Sequence, residues 1–311
     1  MRIASYLPSL SVDNFELENS KLTAKKIFAK TGITSRKVVS GKLTAIDLAF
    51  EASSKLVGLK DFDDVDALLY CTQSPDYIVP NNVSILHSRL EIRKNIPTIE
   101  YNQGCSGYIY GLYLARTLLL GDDLRKVLLV TADTYTKYLK SDNLSCRTIF
   151  GDAATATLIS SEDVKYFGEF SFGTNGDYHK ALYLDGEGSR TRGNQLDLKM
   201  NGPEIFCFTL EVVPEIIREN LEKNRLKLED IDHFIFHQAN GYMLEALRKK
   251  VGIPKEKFHL HFEESGNTVS STIPIVLEKL YIEKTFKKGE KVMLCAFGVG
   301  LSWNATVFTV R

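Results

Sequence analysis

The sequence predicts an α/β fold built from two pseudo-symmetric halves, residues 1–163 and 164–311. Short apolar segments of strand length alternate along the chain with segments of helical periodicity, which is typical of buried sheets covered by helices. The chain has 311 residues, about twice the usual length of a single domain. In addition, the pattern of the first half recurs in the second half.

Strands and helices alternate in the first half. The predicted helices span 22–28, 44–56, 83–90 and 108–119, and the predicted strands span 64–73, 97–102 and 126–130. Thr44 is the expected cap of the second helix, and Gly58 is expected to end it. Because the strands are apolar on both sides, we expect helices to cover a parallel sheet.

The second half repeats three landmarks of the first at nearly constant distance. The segments that begin at residues 64, 126 and 104 recur at 230, 291 and 266, with offsets of 166 (230 minus 64), 165 (291 minus 126) and 162 (266 minus 104). Unrelated α/β segments would drift in spacing, so the offsets indicate an internal duplication. The carboxyl ends of the matching strands are where open α/β sheets place their chemistry.

The segment 185–202 lies between the repeated landmarks of the two halves and is predicted to be a surface loop over the site, since it is rich in Gly, Asn, Arg and Ser. Arg190 and Arg192 in this loop are either phosphate ligands or solvated side chains, and the second role is the more common one. A helix is predicted from Pro203 toward Asn224, because proline suits a first helical turn.

The composition disfavours several classes of function. Lys and Arg number 39, as do Asp and Glu, so no basic surface for nucleic acid or an anionic membrane is indicated. Five cysteines without a C-x-x-C pair argue against a disulfide framework and a zinc site. Neither a signal-peptide core nor an apolar run of about 18 residues is present. We therefore expect a cytoplasmic protein without a bound metal.

Cys105 is the first candidate catalytic residue. It lies in a predicted turn between a strand and a helix, and Gly104, Ser106 and Gly107 surround it. These small residues let the backbone bend and leave space for a substrate at the sulfur. The N-terminus of the following helix is expected to lower the pKa of the thiol. The alternative is that Cys105 is a small buried apolar residue, as most free cysteines are.

His237 and Asn267 are the candidate partners of this thiol. His237 directly follows an apolar strand in the half that mirrors the Cys105 half, which distinguishes it from the five other histidines. Asn267 precedes a helical segment, so a helix cap is its alternative role. Together the three residues supply a nucleophile, an imidazole and a neutral amide donor.

Five segments together resemble the motif set of the β-ketoacyl-acyl-carrier-protein synthase III family of the thiolase superfamily. They are GCSG at 104–107, FGDAA at 150–154, HQAN at 237–240, GNT at 266–268 and FGVGLSW at 297–303. Their order, and a resemblance that covers nearly the whole chain, make the match specific. It implies the five-layered αβαβα thiolase fold, a homodimer, and no cofactor other than thioester substrates of coenzyme A or phosphopantetheine.

The resemblance also implies a mechanism. Cys105 would accept an acyl group from acyl-coenzyme A or an acyl carrier protein. A malonyl thioester, such as malonyl-acyl carrier protein, would then lose carbon dioxide while His237 and Asn267 hold its enolate oxygen. A Claisen condensation with the Cys105 thioester would give a 3-oxoacyl thioester for fatty-acid or specialised acyl-chain biosynthesis. The backbone amides of Cys105 and Gly300 would form the oxyanion hole.

Four substrate-binding residues follow from the same resemblance: Arg147, Arg36, Val79 and Asn240. Of these, Arg147 corresponds to an arginine beside the adenine of coenzyme A. Val79 replaces a phenylalanine that limits the primer pocket across the dimer interface, so a primer larger than acetyl is expected.

Two further positions depart from the family pattern. Lys26 replaces the tryptophan that stacks on the adenine, and Tyr242 replaces an arginine that docks the carrier protein. These differences favour a specialised paralogue over the initiator of housekeeping fatty-acid synthesis.

Three other functions are compatible with these residues. An acyltransferase of the same fold would pass the acyl group from Cys105 to a hydroxyl or amine, with His237 as general base. A papain-like protease also has Cys, His and Asn in this order, and the spacing of 132 residues (237 minus 105) fits it. A non-catalytic subunit would keep only the fold.

Overall fold

A computed structural model describes residues 1–17, 23–57, 62–121, 123–186, 188–193 and 195–311. The strands are β1 (Arg2–Tyr6), β2 (Ser11–Asp13), β3 (Ser35–Lys37), β4 (Ala67–Cys71), β5 (Thr98–Tyr101), β6 (Lys126–Asp133), β7 (Ala153–Ser160), β8 (Phe167–Thr174), β9 (Leu182–Asp185), β10 (Asp197–Met200), β11 (His233–Phe236), β12 (Lys291–Gly298) and β13 (Ser302–Thr309). The helices are α1 (Ala24–Thr31), α2 (Ala45–Val57), α3 (Asn82–Arg89), α4 (Gly107–Leu119), α5 (Leu144–Arg147), α6 (Gly202–Lys223), α7 (Gly241–Val251) and α8 (Thr272–Ile282). The predicted helix start at Leu22 and the predicted boundary at Gly58 lie outside the described residues, and the other predicted elements are present.

The first sheet has the strand order β1-β7-β6-β4-β5. Its strands β6, β4 and β5 are parallel, as predicted, but β7 runs antiparallel to both β6 and β1. The sheet is therefore mixed. The sequence gives little sign of β7 because the strand consists mostly of Ala and Thr. These small side chains are buried where α2 and α8 pack against the strand.

The second sheet has the order β11-β12-β13-β8. Only β11 and β12 are parallel, whereas β13 runs antiparallel to β12 and to β8. The strands of the first sheet lie between residues 2 and 160, and those of the second lie between residues 167 and 309. One sheet thus falls on each side of the boundary expected between 163 and 164, and that boundary stays a prediction.

Helices α4 and α8 form a central layer between the two sheets. Alternate residues of β4, such as Leu69, pack against these helices, while Leu68 and Tyr70 pack on the other face against α2 and α3. Strand β12 behaves in the same way, with α6 and α7 on its outer face. Because both faces of each central strand are covered, the strands are apolar throughout. The result is the predicted five-layered αβαβα arrangement.

The predicted loop at 185–202 is partly a strand. Strand β10 pairs antiparallel with β9 and buries Leu198. Arg190 and Arg192 are exposed. Helix α6 begins where Pro203 predicted it, and the Asn201 side chain caps it by accepting a hydrogen bond from the Glu204 amide at 3.3 Å. Within the described chain, no helix combines the length and apolarity needed to cross a bilayer.

Candidate active site

Cys105 lies in a turn of 3₁₀ helix at 104–106, between β5 and α4. Gly104 begins this turn with a φ of +48°, and a Cβ there would lie 2.3 Å from Gln73 Oε1. A Cβ on Gly107 would lie equally close, 2.3 Å, to the sulfur of Cys71. At both positions a neighbouring side chain comes too close to leave room for a Cβ, so glycine is required. At Gly104 the positive φ is a second reason for glycine. Cys105 itself is only 4% exposed.

The second half of the chain packs directly on this turn. A Cβ at Gly298, the last residue of β12, would lie 2.6 Å from Cys105 Cβ and 3.0 Å from its sulfur. The Ser106 hydroxyl lies 2.7 Å from the Ser302 hydroxyl, and Asn304 Nδ2 donates to the Ser106 carbonyl at 3.0 Å. Contacts from β12 and β13 thus fix the position of the sulfur.

Burial raises the pKa of the Cys105 thiol to about 12, and the buried carboxyl of Asp133 adds to the rise. Hydrogen bonds from the backbone amides of Val299 and Cys105 lower the pKa in part. The expectation of a lowered thiol pKa is therefore wrong, because removal of the thiolate from water outweighs its stabilisation by the helix N-terminus. The resting group is a neutral thiol.

His237 directly follows β11 and extends its pairing, since its amide donates to the Cys295 carbonyl at 2.8 Å. Its ring is buried, and Nδ1 lies 2.8 Å from Thr272 Oγ1. Burial lowers the pKa of His237 to about 3. The imidazole is consequently neutral at physiological pH.

Asn267 is oriented by its two ends. Oδ1 accepts a hydrogen bond from the Val269 amide at 2.9 Å, so Nδ2 points the other way and lies 3.4 Å from His237 Nε2. Asn267 does not cap α8, whose N-cap residue is Ser271; its oxygen closes a short turn instead, and its Nδ2 group faces the His237 ring. Gly266 supports this geometry with a φ of +73°, and a Cβ there would lie 2.6 Å from the Ile149 carbonyl.

Cys105, His237 and Asn267 line one cavity of about 650 Å³. Most other lining residues are apolar, including residues of β10 and α6. The exposed residues Lys30 and Tyr242 mark its opening, where the Tyr242 ring stacks on Phe206 with centroids 5.3 Å apart. The three predicted catalytic residues thus converge, although 30 to 162 residues separate them in sequence (267 minus 237, 267 minus 105).

Among the predicted substrate-binding residues, Asn240 lines this cavity and also caps α7, where it accepts a hydrogen bond from the Met243 amide at 2.9 Å. Arg147 is half-buried on α5 and donates to the Ser141 carbonyl at 2.6 Å. Val79 is 82% exposed, away from the cavity of its own chain. Its expected role requires a second chain.

Arg36 does not fit the predicted role of a substrate ligand. It is 3% exposed, and its guanidinium donates to Asn14 Oδ1 at 2.7 Å and to the Phe150 carbonyl at 3.3 Å. Burial and the neighbouring Arg147 lower the pKa of this guanidinium to about 10. Arg36 is therefore a framework residue beneath the site, whereas Lys30 provides a cationic group at the cavity wall.

The sequence reasoning missed two groups at the site. Thr272, the partner of His237, is the first residue of α8 and carries no motif signal of its own. Val299 lies inside the motif at 297–303, and its amide, one residue before the predicted Gly300, bonds to the Cys105 sulfur. Gly300 has a φ of +132° and begins the turn into β13.

The described residues contain no group of three His, Cys, Asp or Glu side chains arranged to hold a metal ion. A buried carboxyl does lie beneath the site. The Asp133 carboxyl accepts hydrogen bonds from the backbone amide of Gln73 at 2.7 Å and from the Ser270 hydroxyl at 2.5 Å. Burial raises the pKa of this carboxyl to about 7. It connects the end of β6 to the segment that carries Asn267.

Comparison with known proteins gives consistent results. Residues 99–176 match the family model of 3-oxoacyl-[acyl-carrier-protein] synthase III, and residues 221–310 match the model of its C-terminal part. The β-ketoacyl-[acyl-carrier-protein] synthase III of Clostridium perfringens is 34% identical, with 97% of this chain and 96% of the relative covered. A crystal structure of a 3-oxoacyl-(acyl-carrier-protein) synthase III is 39% identical, with a TM-score of 0.94 and 99% and 98% of the two chains covered. The corresponding enzyme of Thermus thermophilus is 30% identical, with a TM-score of 0.91 and 100% and 98% covered. This chain belongs to the 3-oxoacyl-[acyl-carrier-protein] synthase III family and has its thiolase-type fold.

Proposed function

We propose that this protein is a condensing enzyme that joins an acyl group to a malonyl thioester with loss of carbon dioxide. The observation that carries the proposal is the convergence of the Cys105 thiol, the neutral His237 ring and the Asn267 amide in one cavity. The product is a 3-oxoacyl thioester. Membership of the synthase III family supports the same reaction type.

The first step transfers the acyl group to Cys105. The sulfur forms a bond to the thioester carbonyl carbon, the bond from that carbon to the donor sulfur breaks, and the Cys105 proton leaves with the donor thiol. A thiol with a pKa of about 12 loses its proton only as the new bond forms. The backbone amides of Cys105 and Val299 stabilise the tetrahedral oxyanion, so Val299 takes the role first expected of Gly300.

The second step decarboxylates the malonyl thioester. Its carboxylate leaves as carbon dioxide, and the resulting enolate oxygen accepts hydrogen bonds from His237 Nε2 and Asn267 Nδ2. These atoms are 3.4 Å apart, a spacing suited to two donors that share one oxygen. This role needs the ring proton on Nε2, and in that tautomer the Thr272 hydroxyl donates to Nδ1, 2.8 Å away, instead of to the Val269 carbonyl at 3.3 Å. The enolate carbon then attacks the Cys105 thioester, and the released thiolate takes a proton from solvent.

The electrostatics of His237 favour condensation over the alternative acyltransferase. A general base works best with a pKa near the working pH, whereas burial lowers the pKa of His237 to about 3. A neutral donor suits an enolate because it does not protonate the carbanion. A papain-like protease lacks support. The spacing of 132 residues that suggested it separates Cys105 and His237, and these residues follow strands of two different sheets in the five-layered fold.

The substrates and setting proposed are those of the family. The acyl donor is a coenzyme A or acyl-carrier-protein thioester, the extender is malonyl-acyl carrier protein, and no separate cofactor takes part. The working form is a cytoplasmic homodimer that binds neither nucleic acid nor membrane. The exposed apolar residues Tyr77, Ile78 and Val79 support a contact with a second chain. Lys26 and Tyr242 support a specialised paralogue.

Intact-protein mass spectrometry tests the first step. Wild type and Cys105→Ala are incubated with coenzyme A and carrier-protein thioesters from acetyl to long-chain and aromatic acyl groups. We expect a single acyl adduct that is absent from Cys105→Ala, followed by carbon dioxide release on addition of malonyl-acyl carrier protein. Adduct formation without carbon dioxide, with transfer to a hydroxyl or amine, would favour the acyltransferase. No adduct with any donor would contradict the proposed function.

A further inference from the structure

The backbone of Asn267 is held by the neighbouring segment 149–151. The Asn267 amide donates to the Ile149 carbonyl at 2.8 Å, and the Gly151 amide donates to the Asn267 carbonyl at 3.0 Å. Phe150 lies between these two bonds and pairs with Asn267 in an isolated parallel β-bridge. The place of the Asn267 amide group in the cavity therefore depends on where residues 149–151 lie.

The Arg36 side chain holds this segment from the opposite side. Arg36 belongs to β3 and is 3% exposed. Its guanidinium donates to the Phe150 carbonyl at 3.3 Å and to Asn14 Oδ1 at 2.7 Å. The Asn14 side chain in turn donates to the Thr148 carbonyl at 2.8 Å. Two buried side chains thus bind the carbonyl groups on either side of Ile149, the residue that accepts from Asn267.

The stem of Arg36 also packs against the residue before Asn267. A Cβ on Gly266 would lie 2.9 Å from Arg36 Cγ and 2.6 Å from the Ile149 carbonyl. The chain therefore passes between Arg36 and the segment 149–151 without room for another side chain. Arg36 contacts the Asn267 segment directly through its stem and supports it a second time through Phe150.

The Arg36 guanidinium keeps its charge in this buried position. Burial, followed by the charge of Arg147, lowers its pKa to about 10, and the carboxylate of Asp152 opposes this change. The group is therefore protonated at neutral pH. Hydrogen bonds from a charged donor are stronger than those from a neutral one. Removal of the guanidinium would take the donor away from two buried acceptors, Asn14 Oδ1 and the Phe150 carbonyl, which costs free energy.

The nucleophile is positioned by a different set of contacts. The turn at Cys105 packs on Gly298, and the Ser106 carbonyl accepts a hydrogen bond from Asn304 Nδ2 at 3.0 Å. These contacts come from β12 and β13, whereas Arg36 lies on β3. A change at Arg36 should therefore affect the enolate donor Asn267 far more than the Cys105 thiol.

We propose that Arg36 is a positioning residue for the decarboxylation step, which holds the Asn267 amide where it can share the enolate oxygen with His237. The inference rests on the proposed function, since it concerns the donor that stabilises the enolate. Arg36 is not among the residues that line the catalytic cavity, so it acts on the reaction through Asn267. Its contribution to the rate should therefore require an intact Asn267 side chain.

The test compares the two half-reactions in two variants of Arg36. Arg36→Met keeps the stem and removes the guanidinium, whereas Arg36→Lys keeps a positive charge but loses the planar arrangement of donors. We expect Arg36→Met to slow carbon dioxide release from malonyl-acyl carrier protein by about tenfold or more, and to change Cys105 acylation by less than about threefold, because small displacements of a catalytic group are costly. Arg36→Lys should give a rate of carbon dioxide release between those of wild type and Arg36→Met.

A double-mutant cycle with Asn267→Ala tests whether the effect passes through Asn267. In the Asn267→Ala background, Arg36→Met should slow carbon dioxide release by less than about twofold, because the group that Arg36 positions is already absent. Arg93→Met is the matched control, since Arg93 Nε also donates to a backbone carbonyl, that of Val65, at 3.3 Å. We expect this control to leave both half-reactions at the wild-type rate.

Three results would overturn this inference and leave the proposed function intact. They are a wild-type rate of carbon dioxide release in both Arg36 variants, equal losses in the two half-reactions, and the same loss with and without the Asn267 side chain. Arg36→Lys carries the same cycle, so poor folding of Arg36→Met does not protect the inference. Absence of carbon dioxide release from the wild-type protein is a different result, which would overturn the proposed function and this inference together.

Discussion

Replacement of Thr272 by Val tests whether one hydroxyl sets the proton position on His237. Thr272 Oγ1 lies 2.8 Å from His237 Nδ1 and 3.3 Å from the Val269 carbonyl, and the residue is 3% exposed. Valine keeps the shape but removes the hydroxyl that faces Nδ1, so this ring nitrogen loses its hydrogen-bond partner. An unsatisfied buried polar atom costs about 1–3 kcal/mol. At about 1.4 kcal/mol per factor of ten in rate, decarboxylation should slow by roughly 5- to 150-fold.

The assay separates the two half-reactions. Carbon dioxide release from malonyl-acyl carrier protein reports decarboxylation, and mass spectrometry of the Cys105 adduct reports acylation. We expect Thr272→Val to slow the first far more than the second, and Thr272→Ser to restore most of the rate because it keeps the hydroxyl. Imidazole ¹⁵N shifts should move away from the Nε2–H tautomer in the valine variant. Decarboxylation within twofold of wild type, or equal loss in both half-reactions, would refute the reasoning.

Three further predictions follow from the same geometry. Asn267→Ala should slow carbon dioxide release by about 10²- to 10³-fold, the usual effect of losing one oxyanion donor, and unchanged release would exclude Asn267 as that donor. Gly298→Ala should slow Cys105 acylation by at least tenfold, because the new methyl would lie 3.0 Å from the sulfur; a wild-type acylation rate would contradict this steric argument. For Asp133, the native pKa of about 7 lies above the usual 3.8, so its contribution to stability is full below pH 4 and is lost as the pH rises through 7. The free energy of unfolding in urea should therefore be measured for Asp133→Asn and for wild type. The difference between the two values should change by about 2–4 kcal/mol between pH 4 and 8, and parallel pH profiles of the two proteins would count against this role of Asp133.

The sequence by itself determined the local framework of the site. Strand and helix periodicity, with Gly104 and Gly107 between them, located the turn at Cys105, because backbone bends and side-chain periods depend on neighbouring residues. The position of His237 after an apolar strand, and of Asn267 before a helix, came from the same kind of signal. The repeated spacing then indicated that the three residues would meet.

The tertiary structure decided the properties that depend on distant residues. The Cys105 thiol has a raised pKa because packing by the second half removes it from water. The partner of His237, Thr272, comes from a different helix, and the buried state of Arg36 arises from contacts with Asn14 and Phe150. Strand β7 shows the same effect, since helices on both faces bury side chains that are small and weakly apolar. Desolvation and hydrogen-bond partners are set by the whole fold, and a local pattern of residues does not encode them.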